Sequence, residues 1–540
     1  MAGGSRATAS RASEETVAPG ELVRRIEEYL SEHPSAAVLE DGRVVFDMRT
    51  ARYSATESHG RCLLQLWSEE RNVMRTVVGV EPRAQCLRIV TRRMGAPKPQ
   101  ILEFSPSGDR RTPSARDTTR RNYQKLLERV LTREFIGSKV DGMRSAMDLE
   151  HSFGPAYTRG RLVKGTAAKA VIGVNAAEPG ATIDGVLTLG ILWLEFCRQR
   201  TEARRHVGGL MVIVPPGGWR TTAERMLWLN HAAADFELFT LDERSEELTP
   251  VDFRDAGNLQ SRLVHAFRSD AAIERCRAGL DRLLTLVPAG ARPRVETMAR
   301  SATEVGLLLH GLEFARVRQV AAGSSFARET EITFGAGAHE TPLTEETEPL
   351  CRELFARLFE SRHPEGTYRD ALFRLQPERW LESRLRGELE IVLAGLRNEP
   401  VYCQVPALAG GDRGMLDLLA LDGAGRLTVI ELKAGEDLHL PMQALDYWIR
   451  VRALNADRRP GAGGQVESAF ERAGYFPDAE VSPLPPRLLL VAPALRVHPA
   501  NQPVLRYLSP QIEWELVGVG EDWRRELRVV FRARCSGTRQ

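Results

Sequence analysis

Apolar and polar positions along this chain follow two rhythms, and the places where one gives way to the other divide it. Residues 20–32 (GELVRRIEEYLSE) space their apolar positions three and four apart and predict a short amphipathic helix. The runs AAVLEDGRVVFDM, CLLQLWSEE, MRTVVGV, CLRIVTRR and QILEF then alternate with the two-residue period of half-buried strands, and Asp41-Gly42 is a hairpin signal. Residues 33–105 therefore read as a small antiparallel β region. Residues 106–118 (PSGDRRTPSARDT) read as a linker, and 119–133 as a helix.

From there to about residue 242, apolar strands alternate with helical stretches. AKAVIGV, GLMVIVPP and DFELFTLD read as strands, whereas IDGVLTLGILWLEFCRQR and TTAERMLWLN read as helices. That alternation implies a mostly parallel, buried sheet. Residues 260–375 are mixed, with helices at 271–287 and near 345–360 and apolar runs at EVGLLLHGLEF and ETEITFGAG. Residues 378–396 predict one amphipathic helix opened by Pro377. The strands LDLLAL and LTVIELK, the helix PMQALDYWIRVRAL, a Gly/Pro-rich stretch at 455–486, and the strands RLLLVAP, IEWELVGV and LRVVFRA complete the chain. The expected fold class is α/β and multidomain. The expected divisions are a tail at 1–18, a β-rich region at 19–107, an α/β domain at 108–260, a mixed connecting region at 261–370 and a C-terminal domain at 371–540.

Composition changes little in this picture. The chain has 540 residues, with 27% charged, 43% hydrophobic and a net charge of +2. A balance so near neutral gives no argument for nucleic acid by itself, so such an argument must come from local clustering. Seven scattered cysteines without a C-x-x-C pair argue against a disulfide framework and a zinc ribbon. A reducing cytoplasm and no membrane are expected, since no run of 18 apolar residues occurs.

The chemistry concentrates in MLDLLALDGAGRLTVIELKAGED. A three-residue hairpin loop at 423–425, with Gly425 left-handed, would bring Asp417 opposite Glu431. Strand alternation then points Lys433 to the same face. Charged side chains on strands otherwise this apolar need a reason. Two carboxylates suit Mg²⁺ or Mn²⁺, and a nearby ammonium suits charge developing on phosphate.

The pattern D-x13-E-x-K across a hairpin, followed by a helix with Gln, resembles the PD-(D/E)XK nuclease superfamily, with RecB-like and NucS-like catalytic domains the nearest look. The resemblance covers about 160 residues and implies a restriction-endonuclease-like α/β/α fold over 371–540. It implies Asp417, Glu431, Lys433, Gln443, Glu382 and Tyr447 as the catalytic set, with Asp417, Glu431 and Glu382 on a Mg²⁺ or Mn²⁺ ion. Glu378, Glu388 and Glu390 lie on the same stretch as Glu382 and are alternatives to it. The implied activity is a metal-dependent nuclease, an endonuclease acting on DNA in repair or defence. The alternative is a non-catalytic nucleic-acid-binding or sensor protein using the same fold. DNA is the expected partner, with a second copy of the chain a further candidate.

The order of elements before residue 242 recurs after residue 416, which suggests a degenerate second copy over 108–260. Ungapped alignment sets Arg159, Gly173 and Asn175 at the places of Asp417, Glu431 and Lys433. All three functional groups are lost there, though a cation such as Arg159 could still hold a phosphate. Asp148 and Glu150 lie nearby without an E-x-K partner. A cationic cluster (Arg110, Arg111, Arg116, Arg120, Arg121, Lys125, Arg129 and Arg133) could follow a phosphate backbone, with Arg120, Arg121 and Lys125 as its candidates. A solvated linker and helix face is the competing reading.

Overall fold

The computed structural model describes residues 18–540 except 41–42, 49–50, 59, 68–71, 84–85, 93–99, 107–112, 149–150, 201–205, 256, 258–260, 322–327, 338–339, 410–411, 462–463 and 536–540. The chain divides into two compact units, Met1–Thr119 and Arg120–Gln540. In the first, helix Pro19–Glu32 buries Leu22, Ile26 and Leu30 in one core with the inward residues of a seven-stranded sheet. Every strand pairing of that sheet among the described residues is antiparallel, as the period-two pattern requires. The Asp41-Gly42 turn lies outside the described residues.

The second unit contains two sheets that share one strand order, each with its helices a copy of the same plan and no more than that. The first copy opens with helix α1 (Pro113–Glu134), which starts inside the expected linker because Pro113 suits a first helical position. Strands β1 (Lys139–Arg144), β2 (Tyr157–Lys164) and β3 (Ala167–Val174) follow, then helix α2 (Val186–Arg200), strand β4 (His206–Val214), helix α3 (Arg220–Met226), and strands β5 (Asp235–Asp242) and β6 (Glu247–Val251). The second copy has helix α4 (Pro377–Gly387), strands β7 (Tyr402–Ala409), β8 (Asp412–Leu421) and β9 (Leu427–Leu432), helix α5 (Leu440–Ala456), strand β10 (Arg487–Pro493), helix α6 (Asn501–Arg506), and strands β11 (Trp514–Val519) and β12 (Val529–Arg534).

Both sheets run in sequence order, with a parallel centre (β3-β4-β5 and β9-β10-β11) flanked by antiparallel pairs. In each copy the opening helix covers one face and the crossover helix, α2 or α5, covers the other. The α2 and α5 faces share one core, holding Trp193 and Leu194 of α2 together with Leu445 and Trp448 of α5. Where the copies meet, Leu229 and Leu508 form an antiparallel bridge. The Asn230 N–H donates to Tyr507 O, and the Ser509 N–H donates to Trp228 O, both at 2.8 Å. Such a reciprocal exchange is what a two-fold contact produces. The α2 stretch passes a length and apolarity test for a membrane span over 180–200, but here its apolar residues sit in that shared core.

Three expectations are corrected. The single helix over 378–396 breaks at Glu388 into Pro377–Gly387 and Leu389–Val392, because Glu388 takes φ −138°. An additional strand, β7, precedes the motif strand. The connecting region begins late, since Ser261–Leu263 pairs with β7 as the edge of the C-terminal sheet. The remainder forms a five-stranded antiparallel sheet from Val295–Ser301 to Thr341–Pro342, with helices Ser269–Leu286 and Glu348–Ser361 in its core.

Candidate active site

The turn between β8 and β9 sets the site. Asp422 N–H donates to Arg426 O, the Asp422 carboxylate accepts from Ala424 and Arg426 N–H, and Gly425 takes φ +77°. A Cβ on Gly425 would lie 2.2 Å from Glu480 O, so glycine is required there twice over. This is the expected three-residue loop. Its register pairs Leu418 with Ile430, and one further residue along, Asp417 faces Glu431.

Both residues lie on the α5 face of the sheet, Asp417 midway along β8 and Glu431 next to the end of β9. Asp417 Oδ2 accepts from Leu432 N–H at 2.9 Å. Lys433 Nζ stands 3.9 Å from Glu431 Oε1. Glu431 is 4% exposed, and its Oε2 is buried with no hydrogen-bond partner among the described residues. Burial, then the charge of Asp417, pushes the Glu431 carboxyl well above the ordinary range, with Lys433 opposing. Tyr447, half-buried on α5, is raised chiefly by burial and then by Glu431 and Asp417, which places it within reach of their field. Gln443 is half-buried one turn earlier on the same helix face.

Helix α4 brings Glu382 in from the other side. Its Oε2 accepts from Arg379 Nη1 at 2.9 Å and from Gln404 Nε2 at 3.0 Å. Gln404 also donates to Asp417 Oδ1 at 3.2 Å, so one amide ties Glu382 to Asp417. Gln404, on β7, stands opposite Asp417 of β8, between the pairs Cys403–Leu418 and Val405–Leu416, and holds a left-handed backbone, φ 52°. A non-glycine residue in that conformation inside a strand is a strained position. The sequence offers no signal for it, since a lone Gln in YCQVPALA belongs to no motif.

The donor set fits a divalent cation in part. Asp417 and Glu431 repel each other and leave one buried oxygen unpartnered, the deficit that a cation corrects. The expected three-carboxylate metal set of Asp417, Glu431 and Glu382 is not assembled, because Arg379 and Gln404 hold the Glu382 carboxylate. No three His, Cys, Asp or Glu side chains among the described residues form a ready ligand group. His439 packs against the first copy instead, its Nδ1 3.1 Å from Thr188 Oγ1.

In the first copy, Arg159 faces Ile172 as Asp417 faces Glu431. With Arg159 set at the place of Asp417, Ile172 and Val174, not Gly173 and Asn175, fall at the places of Glu431 and Lys433. The cause is the β2–β3 turn, where Lys164 pairs with Ala167 and leaves a loop one residue shorter. Gly173 faces α1, where Tyr123 and Leu127 close over it.

The cationic cluster separates in the same way. Arg120 is half-buried, and its guanidinium clamps Glu178 at 2.7 and 3.1 Å. Arg121 and Lys125 are exposed, while Arg129 and Arg133 share Glu246. Arg110, Arg111 and Glu150 lie outside the described residues. Asp148 accepts from His151.

No family model matches the chain, and no curated protein matches it in sequence.

Proposed function

We propose that this chain is a metal-dependent nuclease that hydrolyses phosphodiester bonds in DNA, with a restriction-endonuclease-like C-terminal domain. The observation that carries the reading is the mutually repelling pair of buried Glu431 and half-buried Asp417, with the Lys433 ammonium beside it. Asp417 and Glu431 would hold Mg²⁺ or Mn²⁺. When bound, that ion supplies a water of lowered pKa and neutralises charge on the phosphoryl group. Lys433 orients the attacking water and stabilises the developing oxyanion. Gln404 and Arg379 fix the carboxylates, and Tyr447 screens one side of the pair from water.

A non-catalytic nucleic-acid binder is the second reading, favoured by the engagement of Glu382 with Arg379 and Gln404. Circular, linear, branched and single-stranded substrates incubated with Mg²⁺, Mn²⁺, Ca²⁺ or EDTA separate the two. Cleavage is expected with Mg²⁺ or Mn²⁺ and not with EDTA. Ca²⁺ should support binding with poor cleavage, since it tolerates looser geometry. Glu431→Gln and Lys433→Ala should each lower cleavage by on the order of 10³-fold or more. Cleavage that persists in EDTA, or survives in either variant, sinks the catalytic reading.

A further inference from the structure

The first copy carries, where the second copy gathers carboxylates, a pair of arginines. On three adjacent strands, Gln404, Asp417 and Glu431 stand side by side in the second copy. In the first, the corresponding run is Arg144, Arg159 and Ile172, with Arg144 paired directly across from Arg159. Like charges opposed on neighbouring strands are destabilising unless something compensates. Here the compensation from protein is small. Arg159 is fully buried, and Nη2 donates to Ala146 O at 2.8 Å. Its Nε and Nη1, and the Nε of Arg144, are buried without a hydrogen-bond partner among the described residues. Among the described residues, Asp148 is the carboxylate whose charge acts on Arg159, and it is already engaged by His151.

The surroundings are built for guanidinium groups. Arg159 Cζ lies 4.6 Å from the Phe153 ring centre and 5.7 Å from that of Trp193. Arg144 Cζ lies 5.1 Å from Trp193 and 5.6 Å from Phe196. Trp193 is the eighth residue of α2, as Tyr447 is the eighth of α5. Aromatic faces hold guanidinium planes without using their N–H donors, so these contacts leave the donors unspent. Burial and the charge of Arg144 push the Arg159 group down to about 10, the mark of a cation short of a counter-ion.

We propose that the centre of the first copy, Arg144 and Arg159 over Trp193, Phe153 and Phe196, is a binding site for a phosphate oxyanion. It binds and does not cut, since no pair of carboxylates converges there. The site goes beyond the nuclease reading and does not depend on it. Its ligand is a phosphate group, either free or part of a nucleic-acid backbone.

The test titrates the full chain calorimetrically in EDTA with inorganic phosphate, and separately with a short DNA duplex. The wild type should bind phosphate, and Arg144→Gln should weaken binding by on the order of 10-fold, the loss of one charge-assisted contact. Arg159→Met should abolish it. If that buried variant fails to fold, the half-buried Arg144→Gln decides alone. Phosphate that displaces the duplex identifies the backbone as the ligand, and phosphate that binds without displacing it identifies the free ion. Asp417→Asn should bind phosphate as the wild type does, and a wild type that binds phosphate but cleaves nothing with Mg²⁺ or Mn²⁺ counts against the nuclease reading only. If neither probe binds the wild type, or if Arg144→Gln binds both unchanged, the proposal is overturned.

Discussion

Gln404 combines a left-handed backbone, φ 52°, with an amide that bonds two carboxylates at once. A left-handed non-glycine residue costs about 1 kcal/mol, and the strand tolerates it because this conformation aims the amide between α4 and β8. Gln404→Ala should keep the fold but release Glu382 and Asp417 to repel each other. Supporting residues around metal ligands are typically worth about 10–100-fold in activity or metal affinity. We therefore expect cleavage to fall by that order, with the half-saturating Mn²⁺ concentration raised. An unchanged metal dependence would mean that Gln404 only fills space. The sequence makes Asp417, Glu431 and Lys433 legible because alternation on an apolar strand leaves charges conspicuous. Gln404 and Arg379 are illegible because their roles arise from tertiary placement of ordinary polar residues. With Arg159 set at the place of Asp417, Ile172 and Val174 were missed because one residue fewer in a turn moves the next strand by one and reverses its faces.

At the scale of elements, the β8–β9 hairpin and the strand-helix order could be read from apolar runs and turn glycines. The docking of the connecting region onto α4 could not, because it rests on one two-residue turn. His310 (φ 48°) stacks on Trp380 with ring centres 4.8 Å apart. A Cβ on Gly311 (φ 73°) would lie 1.9 Å from the Arg379 carbonyl oxygen. Arg362, fully buried above Trp380, donates to Leu309, His310, Leu372 and Leu375 carbonyls and so ties the sheet to the approach to α4. Gly311→Ala should force α4 away and destabilise the protein by roughly 2 kcal/mol or more from the backbone term and the clash together. The same turn carries a pH dependence. Burial first, then Arg362, pushes His310 from 6.5 down to about 4. The unfolded chain therefore takes up a proton below about 6.5 that the folded chain refuses until about 4. Stability is complete above the unfolded value and falls as pH drops between the two, by at most about 3 kcal/mol. Denaturation by urea at pH 7.5 and pH 4.5 should show this loss, and His310→Asn, which tolerates the left-handed backbone, should reduce it. An equal loss in the variant would place the pH dependence elsewhere.

The two copies behave as an intrachain pair, and Arg225 is where their coupling can be measured. It lies on α3 of the first copy, 6% exposed, and meets Asp446 of α5 through two bonds of 2.8 and 2.7 Å. A further bond runs from its Nη1 to the Asp184 carbonyl oxygen. Asp446 lies on the same helix as Gln443 and Tyr447, so this contact fixes the side of the candidate active site that α5 supplies. A buried ion pair adds little over an apolar pair of the same size, but removing one partner leaves an unpaired buried charge. Asp446→Leu or Arg225→Leu alone should therefore cost about 3–5 kcal/mol and lower cleavage with it. Arg225→Leu combined with Asp446→Leu should cost much less, because the core around it, which includes Trp448 and Met226, is already apolar. A double-mutant cycle in urea, read beside cleavage rates, measures the coupling. If the two single losses simply add in the double variant, the copies are neighbours without energetic coupling. If stability recovers in the double variant and cleavage recovers with it, the first copy is the brace that holds α5, and with it Gln443 and Tyr447, against Asp417 and Glu431.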